Sequence, residues 1–271
     1  KSGDWSSRSE VKGSDEIADL AISVNEMAET LGTDISKIIS MSEVRSEFLI
    51  NVTHELKTPI ASISGYLETL LDGALDDKEV NKTFLKRSLK NIKRLEVLVT
   101  DLVDISRIET GELIMNMSQV DILTLIEEMV SDANSTKKNS KIDIKINNNL
   151  NEKVFVNADP DRIHQVFNNL LSNAIRYTDE GQIAISIEKN DNKVYLSVSD
   201  TGVGIETESI ERIFERFYRT DNARSRAKNG TGLGLSIVNH IIKAHGSTVK
   251  VESRLGEGTE FSFELEVYSK D

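Results

Sequence analysis

The stretch Leu49-Ile50-Asn51-Val52-Thr53-His54-Glu55-Leu56-Lys57-Thr58-Pro59-Ile60 decides how the first part of the chain is read. Leu49, Val52, Leu56 and Ile60 continue into Ile63, Leu67 and Leu70 by steps of three and four, the period of one helix face. On such a helix His54 lies roughly 200° from both Val52 and Leu56, away from the apolar stripe and towards solvent. Thr58, four residues on, shares its face. Glu55 adjoins it, and a carboxylate beside an imidazole can accept one ring N–H and leave the other nitrogen nucleophilic. Pro59 has no N–H and is expected to bend the helix just past the histidine. From chemistry alone, an exposed histidine beside a glutamate is also an ordinary surface feature.

Upstream, Ile17, Leu20, Val24, Met27 and Leu31 make a coiled-coil seam. The steps Leu31, Ile35, Ile38 are then a stutter, which unwinds a supercoil locally. Plain bundle packing and a rotary or stretching joint both fit that pattern. Downstream, Asp72-Gly73 and Asp76-Asp77 break the helix, with Gly73 a natural C-cap. A second stripe follows at Leu85, Ile92, Leu95, Val99, Leu102, Ile105 and Ile108. Two long stripes joined by a short loop predict an antiparallel helical hairpin. One hairpin has a thin core, so two copies are expected to pair as a four-helix bundle in a homodimer.

After Gly111 the texture changes. Ile142–Ile146, Ile183–Glu188, Lys193–Ser199, Thr248–Glu252 and Glu260–Val267 alternate as strands with one buried face. Helical patterns lie near 121–133, 160–176, 208–214 and 233–245, and Asp159-Pro160 reads as an N-cap followed by proline at the first helical position. Asn134–Asn139 is polar and expected to be a loop. The fold class is therefore α plus α+β: a helical hairpin, then an α/β sandwich with helices over one sheet face. No internal repeat is apparent.

Composition narrows the function. The 271 residues carry a net charge of −12, which argues against general nucleic-acid binding. There is no cysteine, so disulfide frameworks and thiolate metal sites are excluded. Aromatic residues are 5% and charged residues 29%, a balance that suits long amphipathic helices beside an ordinary core. No stretch approaches the ~20 apolar residues of a membrane helix, and no signal peptide is visible.

His54-Glu55-Leu56-Lys57-Thr58-Pro59 resembles the H-box of the bacterial sensor histidine kinases, whose usual form is His-Glu-Leu-Arg/Lys-Thr-Pro. The resemblance implies that His54 is the phospho-acceptor, Glu55 its general base, and Thr58 the residue that positions water when a partner is dephosphorylated. Four further elements follow in the family's order. Asn169-Leu170-Leu171-Ser172-Asn173-Ala174 resembles the N-box. Its two asparagines are four apart on one helix face, and an amide oxygen is a fair ligand for Mg²⁺. Asp200-Thr201-Gly202-Val203-Gly204 resembles the first glycine box, where a carboxylate can accept from an adenine amino group. Phe214-Glu215-Arg216-Phe217-Tyr218-Arg219 resembles the F-box, and Gly230-Thr231-Gly232-Leu233-Gly234-Leu235 the second glycine box at a helix start, a ready phosphate cradle. Neither glycine string is a Walker A loop. Between the last two boxes, Thr220–Asn229 with Arg224, Arg226 and Lys228 reads as a mobile lid over the phosphates, or simply as a solvated loop.

The domain so built resembles the Bergerat ATP-binding fold. The resemblance implies ATP and Mg²⁺ as ligands. It assigns Asn169, Asn173, Arg176, Tyr177, Asp200, Gly202, Gly204, Arg219, Gly230, Thr231, Gly232, Leu233 and Gly234 to the nucleotide, with Asn173 on the metal. ATPase members of that superfamily carry a water-activating Glu four residues before the metal-binding Asn. Asn169 stands there in this chain, so hydrolysis is expected to be slow. Arg176 replaces a common Lys near the phosphates, keeping charge but changing geometry.

Gly3-Asp4 and Val11-Lys12-Gly13-Ser14-Asp15-Glu16-Ile17 resemble the connector and second-helix start of a HAMP module. The expected organisation is a partial HAMP module over 1–33, a dimerisation and phosphotransfer hairpin over 34–110, and an ATP-binding domain over 111–271. The chain opens on Lys1 rather than Met and is expected to be a piece of a membrane-anchored receptor, on the cytoplasmic side of the bacterial inner membrane. By resemblance the partner is a response-regulator receiver domain, docking at Ser62, Gly65, Tyr66 and Thr69, with Arg87 and Lys90 as further candidates. Leu67-Glu68-Thr69-Leu70-Leu71-Asp72-Gly73 resembles phosphate-sensing and cell-wall-sensing kinases. A stand-alone ATPase clamp is opposed by Asn169 and the H-box. A non-enzymatic dimeric scaffold is opposed by Asn173, Asp200 and the glycine boxes.

Overall fold

The computed structural model describes residues 7–10, 15–136, 141–149, 153–220 and 230–269. They fall into two compact units, Lys1–Ser62 and Ile63–Asp271, with the division inside the first long helix. The basic residues Arg224, Arg226 and Lys228 and most of the HAMP-like connector lie outside the described residues.

The first unit is carried by α1 (Glu16–Thr69), most of which lies within it. Asp15 starts the helix by accepting from the Ala18 N–H at 3.1 Å. Ser9 of the preceding segment exchanges two hydrogen bonds with the Asn25 side chain, at 2.8 and 2.9 Å. The seam residues Ile17, Leu20, Met27 and Ile38 are exposed in the single chain. The helix runs on through Pro59, which is buried.

In the second unit a π-helical turn, Leu70–Ala74, ends the first helix, and Gly73 takes φ +118° there, a conformation open chiefly to glycine. Asp77 then caps α2 (Lys78–Glu109), accepting from the N–H groups of Glu79 and Val80. Tyr66 and Phe84 pack across the turn with ring centroids 5.2 Å apart.

The remainder is a sandwich. Strand β1 (Ser118–Asp121) leads into α3 (Ile122–Thr136), β2 (Ile142–Asn148), β3 (Phe155–Ala158) and α4 (Pro160–Tyr177). Next come β4 (Gly181–Asn190), β5 (Lys193–Asp200), the single turn α5 (Thr207–Ile210), α6 (Gly234–Ala244), β6 (Lys250–Arg254) and β7 (Gly258–Glu266). A five-stranded sheet has the order β2-β4-β5-β7-β6, with only the β2–β4 pair parallel; β1 and β3 form a separate antiparallel pair. The core sits between sheet and helices. Ile183, Ile185, Ile187, Val194, Leu196 and Phe263 of the sheet are buried, as are Ile163, Phe167, Leu170, Ile237 and Ile241 of α4 and α6. Phe167 and Phe263 meet at 5.7 Å between centroids. Each such side chain contributes about 1.5–3 kcal/mol on burial.

Three local differences from the sequence reading have physical causes. The helix α3 runs to Thr136, so Asn134, Ser135 and Thr136 are helical rather than loop, and the Ser135 hydroxyl satisfies the Asp132 carbonyl at 2.8 Å. The helix expected over 208–214 stops after one turn. Beyond it the chain must turn so that Phe217, at φ +61°, can donate its N–H to the Gly232 carbonyl at 2.9 Å. The four-residue strands β1 and β3 were not expected.

His245 fastens α6 to the start of α4. Its Nδ1 lies 2.8 Å from the Ile241 carbonyl, and its Nε2 accepts from the Asp159 N–H at 3.1 Å. The ring is therefore neutral, with the proton on Nδ1. Asp159 in turn caps α4 by accepting from Arg162 N and holds Asn116 N with its other oxygen. Burial pushes the His245 pKa below its ordinary 6.5. The neutral ring therefore stabilises the fold fully above about pH 6.5, and that contribution is lost as pH falls below it. Between pH 7 and 5 the wild type should lose stability relative to His245→Gln in thermal unfolding; a difference between the two that does not change with pH would contradict this.

Candidate functional site

His54 and Thr58 are exposed on α1, and Glu55 is half-buried, so the H-box histidine faces away from the apolar stripe as its spacing implied. The Thr58 hydroxyl donates to the His54 carbonyl at 3.2 Å and Ser62 to the Thr58 carbonyl at 3.0 Å. The Thr58 proton is thus committed within the helix, and its oxygen lone pairs are what it can offer to a water. Of the proposed docking residues in the second unit, Tyr66 packs on Phe84, Thr69 donates to the Gly65 carbonyl, and Arg87 is exposed.

The nucleotide candidates gather in the second unit around a cavity of about 790 Å³. Asn169, Asn173, Arg176 and Tyr177 reach it from α4; Asp200 and Gly204 from the end of β5; Arg219 from the F-box; Gly230, Thr231, Gly232 and Gly234 from the start of α6. Two predicted residues do not line it. The Leu233 side chain is fully buried in the core, leaving only its backbone near the site. Gly202 lies behind Asp200, donating its N–H to the carboxylate at 2.8 Å.

The local folding explains the glycines. Gly204 takes φ +68°, and a Cβ there would run into the Arg254 carbonyl. Gly232 takes φ +73°, and its Cβ would fall 2.8 Å from Phe217 Cα, where the two boxes exchange their backbone hydrogen bond. Burial pushes the Asp200 carboxyl above its usual range, opposed by the N–H groups of Gly202 and Thr259. A partly desolvated carboxylate in an otherwise apolar corner suits one strong hydrogen bond from a ligand amino group. The Asn173 amide oxygen accepts from Arg176 Nη1 at 3.3 Å. Among the described residues no group of three His, Asp, Glu or Cys could hold a metal alone. A Mg²⁺ held by one amide oxygen, phosphate oxygens and water fits that donor set.

The sequence reading missed the part played by α2. Leu98, Asp101, Asp104 and Ile105 are buried. Asp101 Oδ2 accepts from the Thr231 hydroxyl at 3.1 Å, and that hydroxyl oxygen accepts from the Leu233 N–H. Asp104 pairs with Arg162 at 2.9 Å and accepts from Gln165 at 2.7 Å. Glu109 pairs with Arg216 of the F-box. Lys90, expected at the partner-docking surface, lines the cavity, as do Lys93, Arg94, Val97 and Asp101. The one available signal was two acids at positions 101 and 104, among the apolar residues of the second stripe.

The family model for the Histidine kinase-, DNA gyrase B-, and HSP90-like ATPase matches residues 158–269, the His Kinase A (phospho-acceptor) domain matches 44–111, and the HAMP domain matches 1–33. The sensor histidine kinase WalK of Bacillus subtilis is 35% identical over 236 residues, 86% of this chain and 38% of WalK. Histidine kinase ThkA in complex with response regulator protein TrrA is 30% identical, with a TM-score of 0.68 over 84% of this chain and 64% of that one. ShkA in complex with AMPPNP is 27% identical, with a TM-score of 0.62 over 83% of this chain and 47% of that one. The chain belongs to the bacterial sensor histidine kinases of two-component signal transduction, with a HAMP module, a phospho-acceptor domain and an ATP-binding domain. It spans about two fifths of the length of WalK.

Burial raises the Asp101 pKa from 3.8 to about 6, opposed by the Thr231 hydrogen bond and aided by the nearby Asp104. Between those values the folded state holds the proton more tightly, so stability from this carboxyl is greatest at low pH and declines as pH rises through about 4 to 6. Asp101→Asn keeps an acceptor for Thr231 without the buried charge. At pH 7.5 it should stabilise the second unit by about 2 kcal/mol, measured by thermal unfolding; a lower melting temperature would contradict this. Gly204→Ala should weaken nucleotide binding at least tenfold by calorimetry and leave the helical circular-dichroism signal near wild type; wild-type affinity would contradict the tight approach to Arg254.

Proposed function

We propose that this chain transfers the γ-phosphoryl group of ATP to His54 and then to an aspartate of a response-regulator receiver domain. The observation that carries the reading is His54, exposed on a helix in the H-box, in a chain that also folds Asn173, Asp200 and two glycine boxes around one cavity. The cavity fits a nucleotide: Asp200 takes the adenine amino group, Asn169 and Asn173 face the phosphates, and Asn173 with Arg176 manages metal and charge. AMPPNP, an ATP analogue, is the ligand named for ShkA, and TrrA is the response regulator named for ThkA.

In the proposed reaction a neutral His54 nitrogen attacks the γ-phosphorus in line. The bond to the β–γ bridging oxygen breaks, ADP leaves with that oxygen, and Glu55 accepts the proton from the other ring nitrogen. Positioning and charge neutralisation supply most of the rate. Asn169, an amide where ATPase relatives carry a glutamate, leaves the site without a base for water. A receiver carboxylate then attacks the phosphorus and releases His54. In the separate phosphatase activity Thr58 positions the water that attacks the regulator's aspartyl phosphate and releases inorganic phosphate and the free carboxylate; Ser62, Gly65, Tyr66 and Thr69, with Arg87 and Lys90 as further candidates, form the docking face.

The exposed seam and the outward stripe at Leu85, Ile92 and Val99 support a homodimer, in which two copies of 34–110 bury them as a four-helix bundle. The ATP-binding domain then covers 111–271, and 1–33 joins it to a membrane-anchored receptor at the cytoplasmic face. None of the described helices is long and apolar enough to cross a membrane.

Incubation with radiolabelled ATP and Mg²⁺ should give acid-labile, base-stable label that disappears in His54→Gln; undiminished label in that variant would sink the reading. Thr58→Ala should keep autophosphorylation within about twofold and lose most dephosphorylation of the regulator. Equal loss of both would remove the water-positioning role.

A further inference from the structure

The cavity has two walls of different origin. One is the N-box, glycine boxes and F-box; the other is α2, an element of the phospho-acceptor domain. Lys90, Lys93, Arg94, Val97 and Asp101 all line it. On a helix these five positions fall within about 100° of arc and span roughly 16 Å, so they form one continuous face. The acid end of that face is anchored, Asp101 to Thr231 in the second glycine box. The cationic end begins two turns away. Around the cavity, among the described residues, Lys90, Lys93, Arg94, Arg176 and Arg219 stand against three carboxylates, Asp101, Asp200 and Glu206. In a chain of net charge −12 that is a local inversion of sign. It is the field a polyanion requires, and a concave, partly apolar wall strengthens it.

Resting on the nucleotide reading above, we propose that Lys90, Lys93 and Arg94 complete the nucleotide site from α2, contacting the polyphosphate across the cavity from Arg176. The phospho-acceptor domain thus supplies nucleotide-binding residues of its own. Three consequences distinguish this from a general effect on the fold. The cations discriminate by charge, so they favour triphosphate over diphosphate and leave adenosine unaffected. Their contribution is screened by salt. The coupling is reciprocal: a nucleotide that engages α2 tightens the docking of α2 on the ATP-binding domain, as docking tightens the nucleotide.

The test is calorimetric titration of the intact chain with ATP, ADP and adenosine at low and high salt, for wild type and for the triple variant Lys90→Gln, Lys93→Gln, Arg94→Gln. The expected result is ATP affinity reduced about tenfold, ADP affinity reduced less, adenosine affinity unchanged, and a shallower salt dependence. The charge-keeping variant Lys90→Arg, Lys93→Arg should bind ATP within about twofold of wild type. Unchanged ATP affinity in the triple variant overturns the proposal, as does an equal fall for ATP and adenosine, which would mark a damaged fold. Wild-type protein that binds none of the three would overturn the nucleotide reading itself, whereas wild-type binding with an indifferent triple variant overturns only the role of α2.

Discussion

Asp101 of α2 accepts a hydrogen bond from Thr231, and Thr231 in turn receives the N–H of Leu233 at the start of α6. A phospho-acceptor element is thereby tied to the glycine-rich turn that lines the cavity. The tie holds a carboxylate out of water, with its pKa raised to about 6. Asp104 and Glu109 repeat the device one and two turns on, against Arg162 and Arg216. A buried acid that folding does not favour is weak evidence for stability and better evidence for a specified arrangement. The cavity has a second wall because α2 is docked in this way, with the apolar Leu98 and Ile105 buried beside these polar contacts.

The same logic runs through the sandwich. Its five-stranded sheet and the helices α4 and α6 form an apolar core that requires no ligand. That core fixes where α4 presents Asn169 and Asn173 and where β5 ends at Asp200. The second glycine box is held by the Phe217–Gly232 backbone bond, by Thr231 and by the buried Leu233 side chain.

Much of this was legible in the sequence because periodicity reports burial directly. The alternation of Ile183, Ile185 and Ile187, and of Val194, Leu196 and Val198, places β4 and β5. Asp159-Pro160 marks the start of α4, and Asp72-Gly73 the end of α1. What escaped has a common cause. Strands β1 and β3 are four residues each, too short for a period to show. The one-turn α5 yields to the backbone pairing of Phe217 with Gly232, a contact with no signal in its own segment. Leu233 belongs to a nucleotide motif by its neighbours but to the core by its side chain. Lys90 is placed by resemblance at the partner-docking face, and Lys93 and Arg94 carry no signal of their own, because only the docking of a distant domain turns that helix face into a wall.

The account rests on one covalent event, a phosphoryl group carried on the His54 ring. Tandem mass spectrometry of the protein after brief exposure to ATP and Mg²⁺, digested and handled at neutral to alkaline pH, locates that group directly. The account predicts the added phosphoryl mass on the peptide containing His54, with fragment ions assigning it to the imidazole. Modification confined to a serine or threonine, or ADP accumulating with no modified protein, would contradict it.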